Sequence, residues 1–337
     1  MKKILVTGGA GFIGSNFIPY FLQKHPEYHI INLDALTYAA NLDNLKEIEH
    51  DPRYSFIQGD ICERGLVDSL FNEHRFFGVI HFAAESHVDN SITGPEAFIK
   101  TNINGTFTLL DVARKYWMDS PFKVKEGLGN NRFLQISTDE VYGSLGKEGL
   151  FTEHTAYSPN SPYSASKASS DFLVRSYFHT YGMNVVTTNC SNNYGPKQHD
   201  EKLIPTIIRK ALAGQPIPIY GDGMNVRDWL YVMDHAKGIE LAFKKGRPGE
   251  TYNIGGRNER TNNQIVDVIC TVLDSKRPRQ DGNSYKQQIT FVKDRAGHDK
   301  RYAIDASKIE KELNWQAEEN FESGIQKTIS WYLDQVK

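Results

Sequence analysis

The sequence predicts a doubly wound, parallel α/β sheet with a smaller α/β substrate-binding lobe attached to it. Three observations carry that expectation. Short apolar runs alternate with helical stretches at the spacing of βαβ units. A glycine-rich turn joins the first run to the first helix. The alternation then fails beyond Asn189, where Gly195, Pro196, Pro205, Gly214, Pro216, Pro218, Gly221 and Gly223 crowd together. At 337 residues the chain also exceeds one ordinary core, which fits a large domain with a smaller lobe.

The elements follow in order. Lys3–Thr7 reads as a buried strand, and an apolar-periodic helix follows from about Phe12 to Gln23. Tyr28–Leu33 is a second strand ending at Asp34, and Tyr54–Gln58 a third, followed by Asp60. A polar helix around Arg64–Asn72 leads to a fourth strand, Gly78–Ala83. Pro95 suits a first helical turn and opens a long helix to about Trp117. Arg132–Ser137 is a fifth strand, Ser161–Tyr181 another long helix, and Asn184–Asn189 another strand. The polar, glycine-bearing stretch Asp119–Asn131 reads as a surface insertion. We expect residues 1–189 to form the dinucleotide-binding (Rossmann) domain, rejoined by about 228–256 and 312–337. Residues 190–227 and 257–311 should form the lobe.

Composition narrows the class. A net charge of -2 gives no reason to expect nucleic acid or an anionic membrane as a partner. Cys62, Cys190 and Cys270 are odd in number and widely spaced, which fits reduced thiols in a cytoplasmic protein better than a disulfide framework or a metal site. The lysines and apolar run at the N-terminus look like the start of a secretion signal, but the run is too short before the glycine cluster.

In Thr7-Gly8-Gly9-Ala10-Gly11-Phe12-Ile13-Gly14, three glycines serve three needs. Gly8, Gly11 and Gly14 allow a tight turn, a close approach of backbone to a pyrophosphate, and packing of helix on strand. The helix start then offers free N–H groups and a positive dipole end. Asp34, ending the next strand, suits ribose hydroxyls and repels a 2′-phosphate, so NAD is expected rather than NADP. Asp60 is placed to reach the adenine.

Tyr163-Ser164-Ala165-Ser166-Lys167 puts a phenol and an ammonium one helical turn apart. A free phenol is a poor base at neutral pH. We expect Lys167 and a positive nicotinamide ring to lower its pKa, with Lys167 also holding the nicotinamide ribose. Thr138-Asp139-Glu140 follows the fifth strand at its carboxyl end, the edge where such sheets bind ligands. Adjacent acids there suit a water elimination, which needs a proton donor and a proton acceptor.

The glycine turn with Tyr163-x-x-x-Lys167 resembles the extended short-chain dehydrogenase/reductase family across essentially the whole chain. Thr138-Asp139-Glu140 is similar to the triplet of that family's nucleotide-sugar 4,6-dehydratases. The resemblance implies NAD as cofactor, dTDP-glucose as substrate, and a homodimer formed through the two long helices. It implies that Thr138 bonds the sugar at C4, Asp139 is the acid for the C6 hydroxyl, Glu140 the base at C5, and Tyr163 the base at O4. By the same resemblance Phe12, Ile13, Leu36, Thr37, Ile61, Ala83, Ala84, Ser86, Thr101 and Asn193 contact the cofactor. Ser86, Thr138, Asn192, Lys202, Leu203, Pro218, Tyr220, Arg227, Asn262, Asp294, Arg295, His298 and Tyr302 bind the nucleotide sugar. A diphosphate needs donors from several segments, and guanidinium meets it bidentately. Lys197-Gln198-His199-Asp200 departs from the family's aromatic and proline pattern and leaves thymidine against uridine open. Two rival readings are a nucleotide-sugar 4-epimerase and a non-enzymatic NAD sensor. The acid pair argues against the first, and the intact Tyr163 and Lys167 against the second.

Overall fold

A computed structural model describes residues 1–294 and 299–335. Its centre is a seven-stranded sheet in which every neighbouring pair is parallel. In chain order the strands are β1 (Lys2–Thr7), β2 (Tyr28–Asp34), β3 (Tyr54–Gln58), β4 (Gly78–His81), β5 (Arg132–Thr138), β6 (Val185–Cys190) and β7 (Thr251–Ile254). In space they run 7-6-5-4-1-2-3, so the order reverses between β1 and β4, and a crevice opens there at the strands' carboxyl ends.

Continuous apolar strands follow from burial on both faces. Ile4, Val6, Ile80 and Leu134 pack in one core with the helices Phe12–Lys24 and Val232–Lys245. Leu5, Ile31, Val79 and Phe133 pack in a second, under the helices Arg64–His74, Thr106–Trp117 and Pro162–Tyr181. A third core lies in the lobe around Ile207, Ile217, Ile265 and Ile269.

Two departures from the sequence expectations matter for the site. The helix expected over Pro95–Trp117 is interrupted by a π-helical stretch, Ile99–Gly105. The bulge aims Asn102 inward, where its Oδ1 accepts from Glu85 N at 2.8 Å and its Nδ2 donates to Ser166 Oγ at 2.8 Å. The second concerns 312–337, the segment expected to return to the large domain. Leu313 and Trp315 pack in the first core, but Phe321, Ile325, Ile329 and Tyr332 of the last helix pack in the lobe core. The Asp119–Asn131 stretch contributes a small hairpin, Met118–Ser120 with Lys123–Val124. Among the described residues no helix is long and apolar enough to cross a membrane.

Candidate active site

The crevice is built first by its glycines. Gly8 has a φ of +72°, and a Cβ there would lie 2.6 Å from the backbone N and Cα of Ala83. A Cβ on Gly14 would meet Gly8 O at 2.7 Å. The turn thus packs on the loop after β4, and the helix packs on the turn. Gly11 caps the helix Phe12–Lys24 with no side-chain hydrogen bond, leaving its first N–H groups directed at the cleft. Asp34 is buried, with Oδ2 accepting from Ala10 N and Oδ1 from Leu36 N, both at 2.9 Å. Burial raises its pKa, against those two hydrogen bonds. A glycine cradle without side chains, an uncapped helix start and an oriented carboxylate fit a dinucleotide with free ribose hydroxyls.

Along one cleft the structure brings together Gly8, Gly11, Phe12, Ile13, Gly14, Asp34, Thr37, Asp60, Ile61, Ala83, Ala84, Ser86, Thr101, Tyr163, Lys167 and Asn193. Leu36 is not on its wall. It turns away with a φ of +54°, and its N–H serves to orient Asp34.

Beyond the cofactor half the same cleft is lined by Thr138, Asp139, Glu140, Asn192 and Lys202. Thr138 ends β5 and caps the turn Asp139–Tyr142, its Oγ1 accepting from Glu140 N at 3.3 Å. The cap bends the chain so that two consecutive acids enter different surroundings. Asp139 is 1% exposed, while Glu140 is half-buried on the cleft wall. Burial, then the charges of Glu140 and Asp228, hold the Asp139 carboxyl well above the ordinary carboxylate range. Burial thus favours the protonated form of Asp139 more than it does that of the half-buried Glu140 beside it, an arrangement suited to one acid and one base.

Tyr163 is buried, and burial followed by the charge of Glu140 pushes its phenol well above its ordinary pKa. Lys167 Nζ donates to the carbonyl of Ile136 at 2.8 Å, and burial lowers its own pKa. Desolvation is the largest of the influences the protein groups exert on the Tyr163 phenol.

The remaining sequence-predicted substrate residues that the structure describes are not on this wall. Arg227 is buried in the lobe, stacked on the Tyr302 ring at 4.3 Å and donating to Asp299 O at 2.8 Å. Pro218 and Tyr220 lie on Ile217–Tyr220, which pairs with Ile289–Val292, and Asp294 lies beside Gly221. Leu203 and Asn262 each begin a lobe helix. Arg295 and His298 lie outside the described residues.

Sequence reasoning missed other wall residues, among them Ser137, Cys190, Ser191, Gln198, His199 and Glu201. The polar run Lys197–Asp200 carried the available signal. Lys197, at a φ of +69°, donates to Ser15 O at 3.2 Å and pairs with Glu47 at 3.0 Å, fastening the loop to the first helix. Lys202 Nζ donates to Ser86 O at 3.0 Å, so the same loop is tied across the cleft. Asn193 is oriented by His235, whose Nδ1 is 2.9 Å from its Oδ1. Only the return of the helix Val232–Lys245 brings that histidine there.

Comparison with known proteins agrees with this geometry. The family described as GDP-mannose 4,6 dehydratase matches residues 5–328. The chain is 56% identical over 333 residues to a dTDP-glucose 4,6-dehydratase of Xanthomonas campestris, covering 99% of this chain and 93% of that one. A Streptomyces venezuelae dTDP-glucose 4,6-dehydratase, solved with NAD and TYD bound, superposes with a TM-score of 0.89 at 43% identity, covering 98% and 97% of the two chains. A Thermotoga maritima UDP-glucose 4-epimerase, solved with UDP-glucose, superposes with a TM-score of 0.87 at 27% identity, covering 99% and 100%. The backbone thus fits dehydratase and epimerase almost equally, and the side chains must separate them.

Proposed function

The chain belongs to the GDP-mannose 4,6 dehydratase family, and on that premise we propose that it is an NAD-dependent lyase converting dTDP-glucose to dTDP-4-keto-6-deoxyglucose and water. The observation that carries this reading is the Asp139–Glu140 pair: a buried carboxyl, its pKa raised by burial, beside a second, half-buried acid on the wall of the same cleft. An epimerisation at C4 expels no water and has no use for such a pair. Curated relatives at 52% identity or more over nearly the full chain are named dTDP-glucose 4,6-dehydratases, which supports the thymidine nucleotide.

The residues that would hold NAD are the Gly8–Gly14 turn, the N–H groups of the helix start, Asp34 for the adenosine ribose, and Tyr163 with Lys167 at the nicotinamide end. Bound NAD supplies the hydride acceptor for C4, the hydride donor for C6 and, while oxidised, a positive charge that offsets Glu140 at the Tyr163 phenol. Tyr163 takes the proton of the sugar O4. Thr138 holds that oxygen. The ketone formed at C4 acidifies the C5 proton, which Glu140 removes. Asp139 gives its proton to the departing C6 hydroxyl, which leaves as water. A proton returned to C5 completes the product. The walls hold these groups in one register, and much of the rate comes from that.

A homodimer in the cytoplasm is part of the proposal. The two long helices expose Phe107 and Phe172, at 44% and 57%, and the three cysteines are unpaired. Sedimentation at micromolar concentration tests the dimer. The function is tested by incubating the protein with dTDP-glucose and, in parallel, UDP-glucose. We expect a 4-keto-6-deoxy sugar with loss of one water, formed faster from the thymidine substrate. A C4-inverted sugar of unchanged mass would establish the epimerase instead.

A further inference from the structure

Behind the cleft wall formed by Ser137 and Lys167 lies a buried acid that the reaction above does not use. Asp171 lies on the helix Pro162–Tyr181, one turn beyond Lys167, and both are 4% exposed. Consecutive residues of β5 meet this helix. Gln135 Nε2 and Ser137 Oγ donate to the Asp171 carboxylate at 3.4 and 2.6 Å, and between them the carbonyl of Ile136 accepts from Lys167 Nζ at 2.8 Å. Tyr157 OH adds a donor to Asp171 at 3.3 Å. A fully buried ammonium is costly unless an opposite charge faces it. Burial disfavours the charged forms of the other titratable side chains around the pair, Tyr163 among them. Burial raises the Tyr142, Tyr157 and Cys190 pKa values and lowers that of His81 to about 3. Asp171 is the carboxylate whose field favours the charged form of Lys167.

We propose that Asp171 is a positioning residue: its carboxylate is the counter-charge that keeps the buried Lys167 protonated, and its bond to Ser137 holds the Tyr163–Lys167 helix against the strand that carries Thr138, Asp139 and Glu140. The proposal rests on the functional reading above for its catalytic meaning, but the charge relation stands on its own. Burial, against Lys167 and three hydrogen-bond donors, raises the Asp171 pKa to about 6. The acid is therefore ionised above that pH and neutral below it. As pH falls through this range, Lys167 loses its counter-charge.

The experiment follows Lys167 directly, by carbon-13 labelling of lysine Cε, with its resonance identified by its absence in Lys167→Met. In the unmodified protein the resonance should show an inflection near pH 6, as Asp171 titrates. In Asp171→Asn the lysine should deprotonate about one pH unit lower or more, a tenfold or greater loss of proton affinity. The alkaline limb of kcat for dTDP-glucose should move down with it, while KM changes by less than about threefold. Asp171→Glu should restore part of both shifts. An unmoved lysine titration in Asp171→Asn overturns the proposal, as does absence of the inflection in the unmodified protein, which decides the matter if the variant does not fold. Absence of dehydratase turnover would instead sink the functional reading and leave the lysine titration to judge Asp171.

Discussion

Replacing Asp34 by asparagine alters charge without altering shape, and the structure gives the size of the effect. The two carboxylate oxygens each accept one backbone hydrogen bond, from Ala10 N and Leu36 N at 2.9 Å. Asparagine offers one oxygen and one NH2 group. Whichever way the amide turns, one backbone N–H faces a donor. At 7% exposure, water is poorly placed to repair the loss. An unsatisfied buried donor costs roughly 1–3 kcal/mol. Burial of the carboxylate already raises its pKa, so removing the charge returns part of that cost and the net loss of stability should sit near the low end. The effect on cofactor is separate. A hydroxyl bonded to a carboxylate contributes about 1.5–3 kcal/mol, so NAD affinity should fall roughly tenfold to one-hundred-and-fifty-fold. The 2′-phosphate of NADP gains nothing from Asp34, so its affinity should hold or rise. Displacement of bound NADH fluorescence by NAD and by NADP measures both, and a denaturant midpoint of the cofactor-stripped protein measures the first term. An NAD affinity within about threefold of the unmodified protein, or an equal loss for both cofactors, would refute the placement of the ribose at Asp34.

Four further outcomes are expected. Gly8→Ala must place a Cβ 2.6 Å from the Ala83 backbone at a φ of +72°, so strain of about 1–2 kcal/mol plus a displaced turn should lower both stability and the NAD bound per chain; mass analysis of released cofactor and a thermal melt check it. Glu140→Gln should abolish exchange of the sugar C5 proton with solvent, whereas Asp139→Asn should keep exchange and slow water loss; equal loss of exchange in both would mean the roles are wrongly divided. Because the Asp139 pKa is raised, its proton is held at low pH and lost as pH rises through the raised value, so the elimination step should weaken on the alkaline side and that limb should vanish in Asp139→Asn; a rapid-quench pH series reads it. Deuterium placed at C4 of dTDP-glucose should appear at C6 of the same sugar, and crossover to a second, mass-distinguishable sugar would contradict a cofactor held through the cycle.

Local chemistry made much of this protein legible before folding. Apolar runs bounded by turns announce strands, because a strand buried on both faces tolerates little else. Gly8 and Gly14 are legible because a Cβ at either position would strike backbone, and Asp34 because it ends a strand at a fixed distance from the turn. The order Thr138-Asp139-Glu140 places acids at a strand end by sequence alone. What that order does not contain is how differently the two acids are treated. Asp139 is buried and feels the charge of Asp228, a residue far along the chain, whereas Glu140 is only half-buried on the cleft wall. In the same way Lys167 reads as the partner of Tyr163, yet it bonds Ile136 and answers to Asp171. The π-helical turn has no residue signature either, and only the fold shows that Asn102 there joins the loop at Glu85 to Ser166 of the neighbouring helix. Residue type and spacing determined which groups this protein has for its chemistry. Tertiary structure decided which way their pKa values are pushed, because desolvation and long-range fields depend on neighbours that only the fold assembles.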